Sequence, residues 1–103
     1  MRAEITVKAG ANRFAEDKEE ARQIRIEHIL PALERGEQVV LDFKDVSYAT
    51  QSYIHALIGE ALQKHGESAL DHLEFKHCSI ALRSVIELVV DYTLGGFPKE
   101  QAR

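Results

Sequence analysis

The fold is decided by residues 38–62, which read QVVLDFKDVSYATQSYIHALIGEAL. The first part is an apolar, β-branched and aromatic run interrupted only by Asp42, which is typical of a strand inside a parallel or mixed sheet. The second part predicts an amphipathic helix from about Gln51, because its apolar residues recur at helical spacing. These residues are Ile54, Leu57, Ile58, Ala61 and Leu62. Thr50 precedes the helix as a natural N-cap.

The polar connection between this strand and this helix is where we expect a function. Backbone N–H groups are unpaired at a helix N-terminus, and the helix dipole favours negative charge there. An added phosphate on Thr50 or Ser52 would therefore be stabilised, and phosphorylation of either hydroxyl is one hypothesis. The other is that Thr50 only caps the helix and Ser52 is an ordinary first-turn residue.

The chain before this stretch predicts one strand and one helix. Residues 2–8 alternate in polarity, which indicates a short strand near a sheet edge, and residues 9–15 read as a turn. Asp17 and Glu20 form an acidic capping box for a helix that ends near Arg35. Pro31 predicts a kink or a break near residues 28–30. The expected core stripe of this helix comprises Ile26, Ile29, Leu30 and Leu33. Ile24 is expected on nearly the opposite side of the helix.

The chain after this stretch predicts another strand and a last helix. Residues 67–71 read as a polar loop, and residues 72–78 as a strand whose alternation turns Leu73 and Phe75 towards the core. Ser79 caps a helix over residues 80–94 whose apolar arc is unusually wide. Either neighbouring elements cover this arc, or it is a homodimer or partner surface. The residues outside its main stripe are Leu88, Val90, Tyr92 and Leu94.

The resulting order is β-α-β-α-β-α, which predicts a small α/β domain in two or three layers. We expect residues 1–96 to form a single domain and residues 97–103 to be a flexible tail.

Composition excludes several classes of function. Cys78 is the single cysteine, and neither a cleavable leader nor a membrane span is visible, so we expect a cytoplasmic protein away from membranes. The formal net charge of −4 argues against nucleic-acid binding.

No catalytic or metal-binding pattern is present in the sequence. Asp42 and Asp45 are weak evidence for acid–base chemistry, and the five histidines show no zinc-site spacing. We therefore expect no cofactor, no metal and no enzymatic activity. A small enzyme using Asp42, Asp45 or a histidine is a rival hypothesis, since proximity in space is not visible in a sequence.

Three segments resemble the STAS superfamily of sulfate-transporter and anti-sigma-factor-antagonist domains. They are residues 12–14 (Asn-Arg-Phe), residues 40–43 (Val-Leu-Asp-Phe) followed by Val46, and residues 50–53 (Thr-Gln-Ser-Tyr). The chain is more closely similar to a bacterial STAS-like family of unknown function. The resemblance implies a mixed β-sheet with helices packed mainly on one face.

The resemblance also implies a regulatory role. In anti-sigma-factor antagonists this helix opens with Asp-Ser-Ser/Thr-Gly-Leu-Gly, and a kinase phosphorylates the serine after the aspartate. In this chain Thr50 stands at that aspartate, Gln51 at the phosphorylated serine and Ser52 at the next position, so the usual phosphoacceptor is absent.

The hypothesis that follows is a non-enzymatic protein-interaction module, phosphorylated at Ser52 or Thr50. Its partner would be a kinase-like ATPase of the anti-sigma type. The alternative is a STAS module that binds a small molecule, nucleotide or anion at the same helix N-terminus. The expected partner-binding residues are Tyr48, Thr50, Gln51, Ser52, Tyr53 and His55.

Overall fold

The computed structural model describes residues 2–95. Its strands are β1 (Arg2–Thr6), β2 (Phe14–Ala15), β3 (Gln38–Asp42), β4 (Tyr48–Ala49) and β5 (Leu73–Lys76). Its helices are α1 (Lys18–Ile24), α2 (Leu30–Glu34), α3 (Gln51–His65), α4 (Glu67–His72) and α5 (Ile80–Thr93), with a short 3-10 turn at Ala11–Arg13 and a π-helical turn at Arg25–Ile29. The predicted β-α-β-α-β-α order is confirmed, with β2, β4 and α4 added to it. The tail predicted at residues 97–103 lies outside the described residues.

The main sheet has the order β1-β3-β5, so β3 is central and β1 lies at an edge as predicted. The resemblance implied a mixed sheet, whereas every strand pair within residues 2–95 is parallel. Register partners on neighbouring strands share a face of the sheet. The residues that belong to or pack against the core on one face are Ala3, Ile5, Val39, Leu41, Leu73 and Phe75.

The opposite face of the main sheet is polar. Glu4 and Glu74 are exposed register neighbours of the buried Val40. Lys76 Nζ lies 3.2 Å from Glu4 Oε2, and this ion pair spans β3. Right-handed crossovers that advance in one direction across a parallel sheet place their helices on one side. The expectation of helices mainly on one face is therefore confirmed.

The core lies between the main sheet and the helices, with α3 at its centre. α3 contacts the first helical segment, which we define as residues 18–34, on one side and α5 on the other. The buried residues of α3 follow the predicted stripe and are Tyr53, Ile54, Leu57, Ile58, Gly59, Ala61 and Leu62.

β2 and β4 form a separate two-stranded parallel pair. This pair corrects the prediction that residues 9–15 form only a turn, because Phe14 pairs with Tyr48 and Ala15 with Ala49. Two-residue strands are too short to show any periodicity in a sequence. The pair joins the segment that leads into α1 to the segment that leads into α3.

The first helical segment accommodates Pro31 without breaking. Proline has no amide hydrogen, so a regular helix would lose a backbone hydrogen bond at this residue. Here a π-helical turn precedes α2, and the Leu30 N–H donates to the Arg25 carbonyl five residues earlier. The predicted distortion thus takes the form of a wider turn, and Ile29 and Leu30 at its end keep right-handed helical φ and ψ.

The π turn also corrects the predicted core stripe of this segment. Ile29, Leu30 and Leu33 are buried, but Ile26 is 48% exposed. A π turn adds one residue to the helix, so residues before it rotate relative to those after it. Arg25 therefore faces α3, where its Nη1 donates to the Ala56 carbonyl at 3.0 Å.

The segment after α3 is helical, where a polar loop had been expected. Gly66 ends α3 with φ of 61° and ψ of −145°, and α4 begins at Glu67. Ala69 of α4 is buried in the core, which favours a helical turn over an open loop.

α5 begins and ends close to the predicted residues. The Ser79 side chain caps it by accepting from the Leu82 N–H at 3.1 Å. Of the residues outside its main stripe, Leu88 is 41% exposed, while Val90 and Leu94 are half-buried. Among the described helices, none has the length and apolar character that crossing a membrane requires.

Candidate functional site

The N-terminus of α3 is held by Thr50. The Thr50 Oγ1 accepts from the Tyr53 N–H at 3.0 Å, and the Thr50 N–H donates to the Ala15 carbonyl at 3.0 Å. Thr50 is half-buried, and its hydroxyl already serves as the predicted cap. This residue therefore fixes the start of α3 against the β2–β4 pair.

Ser52 lies in the first turn of α3 and is exposed, as are Gln51 and His55. Its hydroxyl has no hydrogen-bond partner within residues 2–95, whereas the Thr50 hydroxyl is already occupied as the cap. These exposed residues lie on an open depression of ≈ 470 Å³. Its lining consists of Lys18, Gln51, Ser52, His55, Ala56 and Tyr92. The lining contains one cation, from the first turn of α1, and no carboxylate.

Two aromatic pairs belong to this region. The Phe14 and Tyr48 rings stack with centroids 5.7 Å apart, and Tyr48 is 41% exposed. The rings of His55 and Tyr92 stack at 5.9 Å and connect α3 to α5. A Cβ at Gly59 would lie 3.0 Å from the His55 ring, so the glycine leaves room for this ring orientation.

Tyr53 does not belong to the exposed surface, which corrects its assignment as a partner-binding residue. It is 0% exposed, and within residues 2–95 its hydroxyl has no hydrogen-bond partner. Burial, with smaller effects of Glu20 and Asp17, raises the pKa of Tyr53 to about 12. Its ring faces the core because it stands three residues after the cap, in line with Leu57 on the buried stripe.

A second polar cluster joins the ends of β3 and β5. Asp42 is 7% exposed, and its Oδ1 lies 2.8 Å from His77 Nδ1 and accepts from the Lys44 N–H at 3.0 Å. The pKa of Asp42 is lowered, mainly by the hydrogen bond from His77. Burial acts in the opposite direction and raises this pKa, while the hydrogen bond from the Lys44 amide lowers it further. Asp42 is thus hydrogen-bonded at the end of β3, and Asp45 is exposed on the turn that follows.

The His77 side chain is 58% exposed. Its φ of 61° ends the regular strand geometry at Lys76, so the alternation of faces does not continue to this residue. An Asp–His pair can orient an imidazole for proton transfer. Neither Asp42 nor His77 lines the depression at the start of α3.

The remaining candidates for chemistry are dispersed. Cys78 is half-buried, and burial raises the pKa of its thiol, which disfavours the reactive thiolate. In the part of the chain that the structure describes, no three His, Cys, Asp or Glu side chains come together in a way that could hold a metal ion.

The fold is that of a small α/β domain with parallel strands and its helices on one face of the main sheet. Residues 20–81, more than half of the chain, match the family described as the STAS-like domain of unknown function. The chain therefore belongs to this STAS-like family. No curated protein and no solved structure matches it.

Three residues of the site were missed by sequence reasoning. Lys18 and Tyr92 line the depression, and Phe14 stacks on Tyr48. Each comes from an element distant in the chain from α3, so no local spacing could have identified them. The signals in the sequence were the resemblance of residues 12–14, which includes Phe14, and the wide apolar arc of the last helix, which includes Tyr92.

Proposed function

We propose that this chain is a non-enzymatic regulatory module that binds a protein partner through the α3 surface, defined as Tyr48, Thr50, Gln51, Ser52 and His55. The observation that supports this most is the exposure of four of these five side chains around the capped start of one rigid helix. Aromatic side chains such as Tyr48 are enriched in protein interfaces. The resemblance to anti-sigma-factor antagonists also supports this surface, because in those proteins the start of the corresponding helix is the regulated element.

Within this surface, Ser52 is the better candidate for phosphorylation than Thr50. The Thr50 hydroxyl accepts the capping hydrogen bond and this residue is half-buried, whereas Ser52 is exposed and lines the same depression as Lys18. A phosphate would add about −1.5 to −2 charges there. That charge would be stabilised by the helix N-terminus and by Lys18, and it would alter any partner that docks on the α3 surface.

The proposed partner is a kinase-like ATPase of the anti-sigma type. The support is the resemblance to anti-sigma-factor antagonists, in which the start of this helix is the regulated element. Gln51 stands at the position of their phosphorylated serine, so phosphorylation in this chain requires the neighbouring Ser52.

A pull-down from the native cells tests the interaction. Wild-type protein and the Ser52→Asp variant serve as bait, and mass spectrometry identifies what each retains. A kinase-like ATPase that binds the wild type and is lost from S52D is expected. Ser68→Asp is the matched control, since Ser68 is also an exposed serine near the start of a helix. Identical partners for all three baits would contradict the proposal.

Phosphorylation itself is tested by incubating the chain with ATP and the kinase-like ATPase that the pull-down recovers. A phosphopeptide that covers residues 51–64 is expected, with the added mass on Ser52. Absence of that peptide, while a known substrate of the ATPase is phosphorylated, would remove the regulatory step but leave the interaction standing.

The alternative is that the same depression binds a small anion or a nucleotide. Lys18 in the lining and the lack of a carboxylate there favour it. Calorimetry with inorganic phosphate and with nucleotides is the test, with Lys18→Gln as the variant. No heat with any of these probes would count against this alternative.

A further inference from the structure

A second surface lies between α4, β5 and α5. Two adjoining cavities of ≈ 220 Å³ and ≈ 400 Å³ share Leu70, Val90 and Asp91, and together form what we call the α4–α5 groove. Its apolar lining consists of Leu70, Phe75, Cys78, Ile86, Val90 and Leu94. None of these residues lines the depression at α3, so the two surfaces are separate.

The groove lies against an edge strand. β5 pairs with β3 on one side and with no other strand within residues 2–95. Its outward backbone groups therefore remain available for pairing. Phe75 of this strand is half-buried beside Leu70, so an incoming chain would meet both apolar side chains and unpaired backbone groups.

The rim of the groove is acidic. Glu67, Asp71, Glu87 and Asp91 line it and are exposed, against the single cation Arg83. Among the side chains of residues 2–95, none forms an ion pair with these four acids. Four unpaired carboxylates around an apolar lining favour a positively charged ligand with apolar side chains.

We propose that the α4–α5 groove binds a short basic peptide segment of a protein partner, with apolar side chains between its lysines or arginines. Charge complementarity favours a basic peptide over a second copy of this chain, a nucleic acid or an anionic membrane. A second copy would bring its own acidic rim against this one, and nucleic acid or an anionic membrane would be repelled by the same carboxylates. The groove extends the interaction role beyond the α3 surface and does not depend on it.

Fluorescence anisotropy with a labelled twelve-residue peptide of alternating lysine and leucine tests the proposal. Saturable binding to the full chain is expected, and it should weaken as ionic strength rises. The matched probe of alternating glutamate and leucine should not bind. Equal binding of the two peptides, or binding insensitive to salt, would overturn the proposal.

Charge variants locate the site. The double variant Glu87→Gln with Asp91→Asn should weaken binding of the lysine–leucine peptide by about 2- to 25-fold, the range for two exposed ion pairs. The double variant Glu16→Gln with Glu34→Gln changes net charge equally at exposed positions outside the groove, and it should bind like the wild type. If both double variants weaken peptide binding equally, the effect is due to net charge alone, and the proposal that the peptide binds in the groove is contradicted.

NMR distinguishes binding of the peptide in the groove from occupation of the groove by a second copy or by the chain's own end. On adding the lysine–leucine peptide, the amide signals of Leu70, Val90 and Leu94 should shift, while that of Ser52 should not. Shifts of the groove signals that depend on protein concentration alone would assign the groove to a second copy. Nuclear Overhauser contacts between residues 96–103 and the groove in the free chain would assign it to the chain's own end. Either result overturns the proposal.

Discussion

At the scale of single residues, Thr50 and Ser52 have different roles although they are two positions apart. Thr50 accepts a backbone hydrogen bond at the helix start, whereas Ser52 is exposed in the first turn. The capping hydroxyl of Thr50 contributes to the stability of the fold. The exposed hydroxyl of Ser52 is available for modification. This separation lets the two residues be tested independently.

Thr50→Ala should lower the free energy of unfolding by about 0.5–2 kcal/mol, because the Tyr53 N–H loses its acceptor. Urea denaturation followed by circular dichroism measures the change. Ser52→Ala is the control and should stay within about 0.5 kcal/mol of the wild type. A larger loss for Ser52 than for Thr50 would reverse the assigned roles.

Asp42 predicts a pH dependence of stability. Its pKa is lowered in the folded chain, first by the hydrogen bond from His77. A lowered carboxyl pKa contributes stability above the unfolded value of about 3.9, and this contribution is lost as the pH falls through the folded value. Stability should therefore decline below about pH 4.

The His77→Ala variant tests this link to Asp42. Without the imidazole, the pKa of Asp42 should rise towards its ordinary value, and the acid-side loss of stability attributable to this pair should become smaller. Carbon-13 NMR titration of the carboxyl measures the pKa directly. An unchanged Asp42 titration in the variant would show that the 2.8 Å contact is not the cause.

At the scale of elements, the junction between α3 and α4 depends on one glycine. Gly66 combines φ of 61° with ψ of −145°, a region that is open almost only to glycine. It ends one helix and starts the next without a loop between them. A side chain at this position would therefore strain both helices.

Gly66→Ala should destabilise the chain by about 1–3 kcal/mol, although a Cβ there would meet no atom within 4 Å. The reason is the backbone conformation alone. Thermal unfolding gives the measurement, and Gly10→Ala, with φ of −86°, should cost less. Equal losses in the two variants would remove the conformational explanation.

The elements also show what the sequence was able to predict. β3, α3 and the cap of α5 were predicted well because each depends on local apolar spacing and a local hydroxyl. Ile26 was placed wrongly because constant helical spacing does not hold across a π turn. β2 and β4 were missed because their pairing joins segments distant in the chain.

At the scale of the whole molecule, β3 is the strand on which the main sheet depends. It pairs on both sides, and Val39, Val40 and Leu41 are each 0% exposed. Amides in such a strand open only when the whole domain unfolds. The two-residue β2–β4 pair has no such support.

Hydrogen exchange should therefore be slowest for the amides of β3. Their exchange free energies should match the global free energy of unfolding, while the amide of Thr50, bonded to Ala15 beside the β2–β4 pair, should exchange faster. Exchange followed by NMR at several urea concentrations provides both values. Faster exchange in β3 than at Thr50 would contradict the central role of this strand.

The candidate site was only partly predictable at this scale. The α3 surface followed from the helix start and the family resemblance, but the burial of Tyr53 and the approach of Lys18 and Tyr92 depend on tertiary packing. The α4–α5 groove was indicated only by the wide apolar arc of α5. Its acidic rim combines α4 and α5, and a helix at residues 67–72 was not expected.

The order of the parallel sheet also has a consequence for synthesis. β1 leaves the ribosome before the other two strands of the main sheet, but its only neighbour within residues 2–95 is β3, which follows after the whole first helical segment. β5, the last strand, must wait for α3 and α4 before it can join β3. Contacts between such distant segments form slowly. The nascent chain therefore exposes unpaired apolar strands until Leu73–Lys76 has been translated, and in this interval it is most prone to aggregation and most dependent on chaperones.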